Sequence, residues 1–182
     1  GCEWFSGDQG FSQWDVSSVE DLSAMFMETP NFVSNISTWD VGSVRNMDSM
    51  FHSVTFYNQP MNNWLTHKVE SMTEMFANAE AFNQPIDNWD TRKVERMNGL
   101  FLNAKSFDQD LDTWDVSSVT DMNRMFKGTE SFNRSLSNWN VGNVTNMTAM
   151  FHTSRMAGDV NSWDVSQVTD MDSMFFQAFY FD

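Results

Sequence analysis

The stretch Trp114-Asp115-Val116-Ser117-Ser118-Val119-Thr120-Asp121-Met122-Asn123-Arg124-Met125-Phe126 is the fullest copy of a motif that returns along the whole chain. Its tryptophan is one of Trp14, Trp39, Trp64, Trp89, Trp114 and Trp139, each 25 residues from the next, with Trp163 following after 24 and Trp4 outside the register. Taking each tryptophan as position 1, position 13 is always phenylalanine: Phe26, Phe51, Phe76, Phe101, Phe126, Phe151 and Phe175. Position 6 is always valine, from Val19 and Val44 to Val168. Positions 9 and 12 are Met or Leu, and position 19 is aromatic except where Met156 stands in the shortened repeat. A fixed period of this length is the signature of a repeat array.

Within each repeat the apolar residues Val119, Met122, Met125 and Phe126 fall at spacings of three, three and one, which predicts one face of a short helix. Ser118 with Asp121, and Ser18 with Asp21, read as capping-box variants at its start. The other half, Phe82-Asn83-Gln84-Pro85-Ile86 and its equivalents, is too short for a helix and reads as a brief strand, which Pro60 and Pro85 weaken. One repeat cannot offset its own ordering entropy, about 1–2 kcal/mol per residue, with its few buried side chains at roughly 1.5–3 kcal/mol each. Neighbours must therefore stack. The expected fold is an α/β repeat solenoid, leucine-rich-repeat-like, of about seven 25-residue coils of short strand plus short helix, with a β-solenoid as the alternative. The Trp and Phe columns form its stacking core. Residues 1–182 read as one solenoid domain, a fragment or processed part of a longer array.

Composition excludes several function classes. With 25 acidic residues against 10 basic ones the net charge is −15, which repels nucleic acid and anionic membranes. No apolar run is long enough for a transmembrane segment. Fifteen Met, 8 Trp and 17 Phe exclude a disordered chain. No Ser-His-Asp order, glycine-rich phosphate loop or HExxH segment is present, so the expectation is a protein that is not an enzyme.

Stacked carboxylates Asp15, Asp40, Asp90, Asp115 and Asp164 are weak calcium candidates, the only cofactor considered, because Leu65 and Asn140 interrupt their column. The favoured reading of that column is a set of Asx turns. Asp8, Asn58, Asn83, Asp108, Asn133 and Asp182 form a second polar column, expected to satisfy backbone groups between coils. Of His52, His67 and His152, the first and last share a coil position four coils apart and cannot share a metal, and with Cys2 remote no zinc constellation is expected. Arg92, Lys93 and Arg96, with Lys68 and Lys105 a coil away, make the one basic cluster, read as a solvated face or a dock for an acidic surface. The sequons at Asn35, Asn133, Asn143 and Asn146 are glycosylation candidates. Cys2 cannot close an internal disulfide and reads as a free thiol or, after Gly1, as a lipidation site.

The repeat pattern, seen most fully in Trp114 to Phe126 for its first part and in Phe82 to Ile86 for its second, resembles the bacterial surface protein repeat of BspA-like leucine-rich-repeat proteins, from Gly7 onward. That resemblance implies a secreted or cell-surface location and adhesion, with no enzyme activity. Two functions are therefore expected. One is a regular extracellular surface for a protein or glycan ligand. The other is a filament subunit that self-associates head to tail through Trp4, Phe5, Phe179, Tyr180 and Phe181.

Overall fold

The computed structural model describes residues 10–181. Seven coils lie on one another, each opening at a tryptophan of the 25-residue column. Successive coils meet through one parallel backbone bridge apiece, in the column Asp21, Asn46, Ser71, Arg96, Asp121, Asn146 and Asp170. A continuous apolar cluster runs through the stack from Val16 to Met174.

The helix-and-strand architecture is corrected. Among the described residues the one helical element is a 3-10 turn at Phe11–Gln13, and pairing stops at those single-residue bridges, so the β-solenoid alternative finds no strand either. The segment expected to be helical is a chain of linked turns. In the fourth coil Leu100 N–H donates to Met97 C=O, Leu102 to Gly99 and Ala104 to Phe101. The amides between them turn outward along the stack: those of Met97, Gly99, Phe101 and Asn103 donate to Asp121, Asn123, Met125 and Lys127 of the next coil. The same alternation joins every pair of successive coils. A two-turn helix would keep its amides to itself and be marginal alone. Linked turns use half of them to tie coil to coil. The three-three-one apolar spacing satisfies either arrangement.

The expected capping boxes are corrected for the same reason. Asp121 accepts the amide of Asn123 at 2.9 Å and Asp21 that of Ser23 at 2.8 Å, each closing a turn ahead of itself. Ser118 Oγ donates to Arg92 C=O in the coil before.

This geometry has a conformational cost. Positions 11 and 15 of every coil have positive φ, at the third residue of a turn, where a type II turn requires it. Of these positions only Gly99 and Gly128 are glycine; the others include Ser49, Glu74, Arg124, Asn78, Asn103 and Thr153. A non-glycine residue held there costs on the order of 1–3 kcal/mol, against four inter-coil hydrogen bonds worth about 0.5–1.5 kcal/mol each. Thr153, β-branched at φ 56°, is the most strained type. Thr153→Asn, which copies Asn78 and Asn103, is expected to raise stability by about 1 kcal/mol in chemical denaturation.

The expected strand fails for a different reason. Where two strands would pair backbone to backbone, a side chain accepts instead. The amides of Asn83, Asp108, Asn133 and Ala157 donate to Oδ1 of Asn58, Asn83, Asp108 and Asn133 in the preceding coil, at 2.9–3.0 Å. The polar column expected from the sequence thus forms a ladder of Asn and Asp side chains at the described positions, and it displaces the sheet. Asp8 and Asp182 lie outside the described residues.

Aromatic ladders fill the interior. Within a coil position 13 stacks on position 19, as Phe76 on Phe82 and Phe101 on Phe107, both at 4.0 Å between centroids. Between coils Phe51, Phe76, Phe101, Phe126 and Phe151 follow one another at 5.5–5.8 Å. Tryptophan adds a hydrogen bond that phenylalanine cannot. Nε1 of Trp64, Trp89, Trp114 and Trp139 donates to the carbonyl of Ile36, Met61, Ile86 and Leu111, respectively, at 2.8–3.3 Å.

Among the described residues two buried side-chain polar atoms lack a hydrogen-bond partner, His52 Nδ1 and the Tyr57 hydroxyl. Tyr57 replaces phenylalanine at position 19, and its hydroxyl is buried with no hydrogen-bond partner. Burial pushes its ionisation far above the ordinary phenol range. Tyr57→Phe removes an uncompensated group while keeping the ring on Phe51 at 4.4 Å. The variant is expected to be more stable by about 1 kcal/mol, read as a melting temperature about 2–4 °C higher.

Candidate binding surface

With the interior occupied by ladders, chemistry must come from the exposed columns. The Asp column is built from turns. Oδ1 of Asp15, Asp40, Asp90, Asp115 and Asp164 accepts the amide two residues on, at 3.0–3.2 Å, and Asn140 does the same for Gly142. Ser17 and Ser117 add their hydroxyls to the same oxygens at 2.7 and 2.6 Å. Each carboxylate closes its own turn, and among the described residues no three Asp, Glu, His or Cys side chains gather into a metal site. The calcium candidates are therefore not brought together.

These donors hold the carboxylates of Asp15, Asp115 and Asp164 below the usual carboxylate range, the largest contribution coming from Ser17 (side chain), Ser117 (side chain) and Ser166 (backbone amide) in turn. A folded-state pKa below the unfolded one stabilises the fold above the unfolded pKa and is lost as pH falls through the folded value. The contribution of these three carboxylates to stability is therefore expected to be flat from neutral pH down to about pH 4 and to fall below it. An Asp115→Asn variant, copying Asn140, should lose part of that acid dependence in a denaturation series across pH.

The histidines each have their own surroundings. His52 Nε2 lies 3.2 Å from Asn78 Nδ2, and its Nδ1 lies 3.4 Å from Glu74 Oε2. His152 stacks on Phe176 at 4.9 Å, and desolvation, then Lys127, lowers its pKa. His67 is exposed. Among the sequons Asn35, Asn133 and Asn143 are exposed and Asn146 is half-buried; Asn35 and Asn146 close local turns, whereas Asn143 Nδ2 donates to Ser117 C=O.

Of the residues expected to form an end-to-end contact, Phe179 is 83% exposed, whereas Tyr180 carries Arg155 over its ring at 4.7 Å and Phe181 stacks on Phe175 at 4.1 Å. Trp4, Phe5 and Cys2 lie outside the described residues.

Two further surface features stand out, the second of them around the basic cluster of Lys68, Arg92 and Lys93. Phe56 is 60% exposed and borders a shallow depression lined by Thr55, Glu80, Ala81, Lys105 and Ser106, with Lys105 paired to Glu80 at 2.9 Å. On another strip, positions 2 to 5 of the third and fourth coils depart together from the rest of the stack. Elsewhere these positions read Asp115-Val116-Ser117-Ser118 or close to it; here they read Leu65-Thr66-His67-Lys68 and Asp90-Thr91-Arg92-Lys93. A column-by-column comparison of the repeats shows the departure, but the hydroxyl bonds that anchor it are structural.

The family model described as "Mycoplasma protein of unknown function, DUF285" matches residues 2–112 and again residues 83–182. The chain belongs to that family. The two matches to the DUF285 model overlap over residues 83–112, and together they take in all seven tryptophan-led coils. No curated protein and no solved structure matches the chain. Among the described residues of this DUF285 chain no helix is long and apolar enough to cross a membrane.

Proposed function

We propose that the protein is a non-catalytic, extracellular or cell-surface repeat protein that presents a rigid regular face to a protein or glycan ligand, as the BspA-like resemblance implies. One observation carries this reading: the axial ladders of turns, amides and aromatic rings commit the interior to stiffness, and side chains of the exposed columns are left to vary. Stiffness lowers the entropy lost on binding. The net charge of −15 disfavours nucleic acid as a partner. Beads coated with the purified chain should adhere saturably to cell surfaces and be competed off by soluble protein. Adherence no greater than to an unrelated acidic protein would contradict the reading.

A second reading, stacking of coils from separate chains, is favoured by the apolar face of the seventh coil. Val165, Met171 and Phe176 are 40%, 41% and 54% exposed there. That face has the shape of the surface each coil offers its successor, whether the successor belongs to the same chain or to another. Sedimentation across a concentration series separates the two readings, because stacking predicts growing species and surface binding predicts a constant one.

A further inference from the structure

We infer that the patch formed by Leu65, His67, Lys68, Arg92 and Lys93 is a docking surface for a short acidic protein segment carrying an aliphatic residue. The inference rests on the proposed binding function and specifies one site for it.

The repeat itself supplies the argument. In five coils the turn after the tryptophan is an Asp or Asn followed by Val and small or uncharged residues. In two adjacent coils, and in no other, four cationic or titratable side chains replace those small ones. At the same place Leu65 takes the position of the turn-closing Asp and stands 63% exposed. An apolar side chain there closes no turn and buries nothing in the core.

The buried partner of the change is equally local. Thr66 and Thr91 stand where other coils have valine, are 0% and 2% exposed, and donate their hydroxyls to Asp90 C=O and Asp115 C=O of the next coil at 3.1 and 2.9 Å. These bonds tie the third, fourth and fifth coils together beneath the cations and hold the patch in one shape.

Charge selects the occupant. Neither Lys68 nor Lys93 has an ion-pair partner among the described residues, while Arg92 is paired with Asp90 at 2.6 Å. The patch is bracketed along its own column by Asp40 and Asp115. A long polyanion, whether glycan, nucleic acid or anionic membrane, would run from the cations into those carboxylates. A short acidic segment crossing the stack would not, and an aliphatic residue among its carboxylates would reach Leu65. Like charge on either side thus acts against the wrong partners as the cations act for the right one.

The test uses the purified chain and a short labelled peptide of glutamates flanking leucine, followed by fluorescence anisotropy. A glutamine-for-glutamate peptide and heparin serve as comparison probes. Wild-type protein should bind the acidic peptide, more weakly as salt rises, and the glutamine peptide should fail to bind. His67→Ser, Lys68→Ser, Arg92→Ser and Lys93→Ser together restore the residues of other coils and should weaken binding by about tenfold. Leu65→Asp alone should weaken it similarly, and decides the matter if the fourfold variant does not fold by near-ultraviolet dichroism.

Unchanged binding by a folded variant, or no binding by the wild type at low salt, would overturn the inference. So would heparin binding that ignores Leu65→Asp, which would assign the patch to polyanions. Bead adherence separates this from the broader reading. Beads bearing the variants that still adhere remove the patch and leave the adhesive function standing; wild-type beads that do not adhere remove that function, while the peptide assay still rules on the patch.

Discussion

Phe101→Ala should cost about 3–5 kcal/mol and be among the most damaging substitutions of a side chain in the stack. Phe101 is fully buried at the centre, stacked on Phe107 at 4.0 Å within its coil and on Phe76 and Phe126 at 5.8 and 5.6 Å in the coils either side. Truncation opens a cavity bounded by turns on three levels, whose backbones are fixed by inter-coil hydrogen bonds and cannot collapse into it. Phe175→Ala removes the same residue type from a half-buried place and should cost much less. The comparison is made by urea denaturation of both variants. Equal costs would mean that the Phe column contributes hydrophobic area coil by coil and no ladder.

Gly158→Ala should destabilise by on the order of 3 kcal/mol. The sixth coil is one residue short, and the chain makes up the difference by passing close to the coil before it. A Cβ on Gly158 would sit 2.1 Å from Arg134 O and 2.6 Å from its carbonyl carbon. Both are backbone atoms, and Leu136 N–H donating to Asp159 C=O at 3.2 Å holds the two segments together. No side-chain rotation relieves the clash. Gly42→Ala is the control: its Cβ would meet Asp40 Oδ1 at 3.1 Å and His67 Cε1 at 3.6 Å, both on side chains that can shift, and its cost should be small. Thermal unfolding of the two variants side by side gives the difference.

Much of this architecture could be read from the residues alone, and the failures lie in the local backbone, with one cause for the helix and another for the strand. The tryptophan and phenylalanine columns are visible because burial acts on every coil alike, so Trp89 and Phe101 recur whatever backbone carries them. The Asx turns of Asp15 and Asp115 are visible because an Asp followed two residues later by Ser has few other uses. The local backbone was misread because Val119, Met122, Met125 and Phe126 face inward in a helix and in a run of linked turns alike. What separates the two is the positive φ at positions 11 and 15, and there Glu74, Arg124 and Thr153 give none of the glycine signal that usually betrays it. The strand was misread because Asn58 and Asn83 replace a backbone acceptor with a side-chain one, a substitution that pattern and propensity do not register. As for the binding patch, Leu65 and the cations stand out in the repeat alignment, whereas the buried hydroxyls of Thr66 and Thr91 acquire meaning only from the carbonyls they reach.

The linked-turn stack differs from a helical one in where the amides of each turn-rich segment point. Through-hydrogen-bond scalar couplings between amide nitrogens and carbonyl carbons, measured by NMR on the labelled protein, report this directly. The predicted result is a correlation from Phe76 N–H to Leu100 C=O and from Phe101 N–H to Met125 C=O, with Leu100 N–H correlated to Met97 C=O within its own coil. Correlations running instead from each amide to the carbonyl four residues earlier would restore the helix and contradict the linked-turn stack.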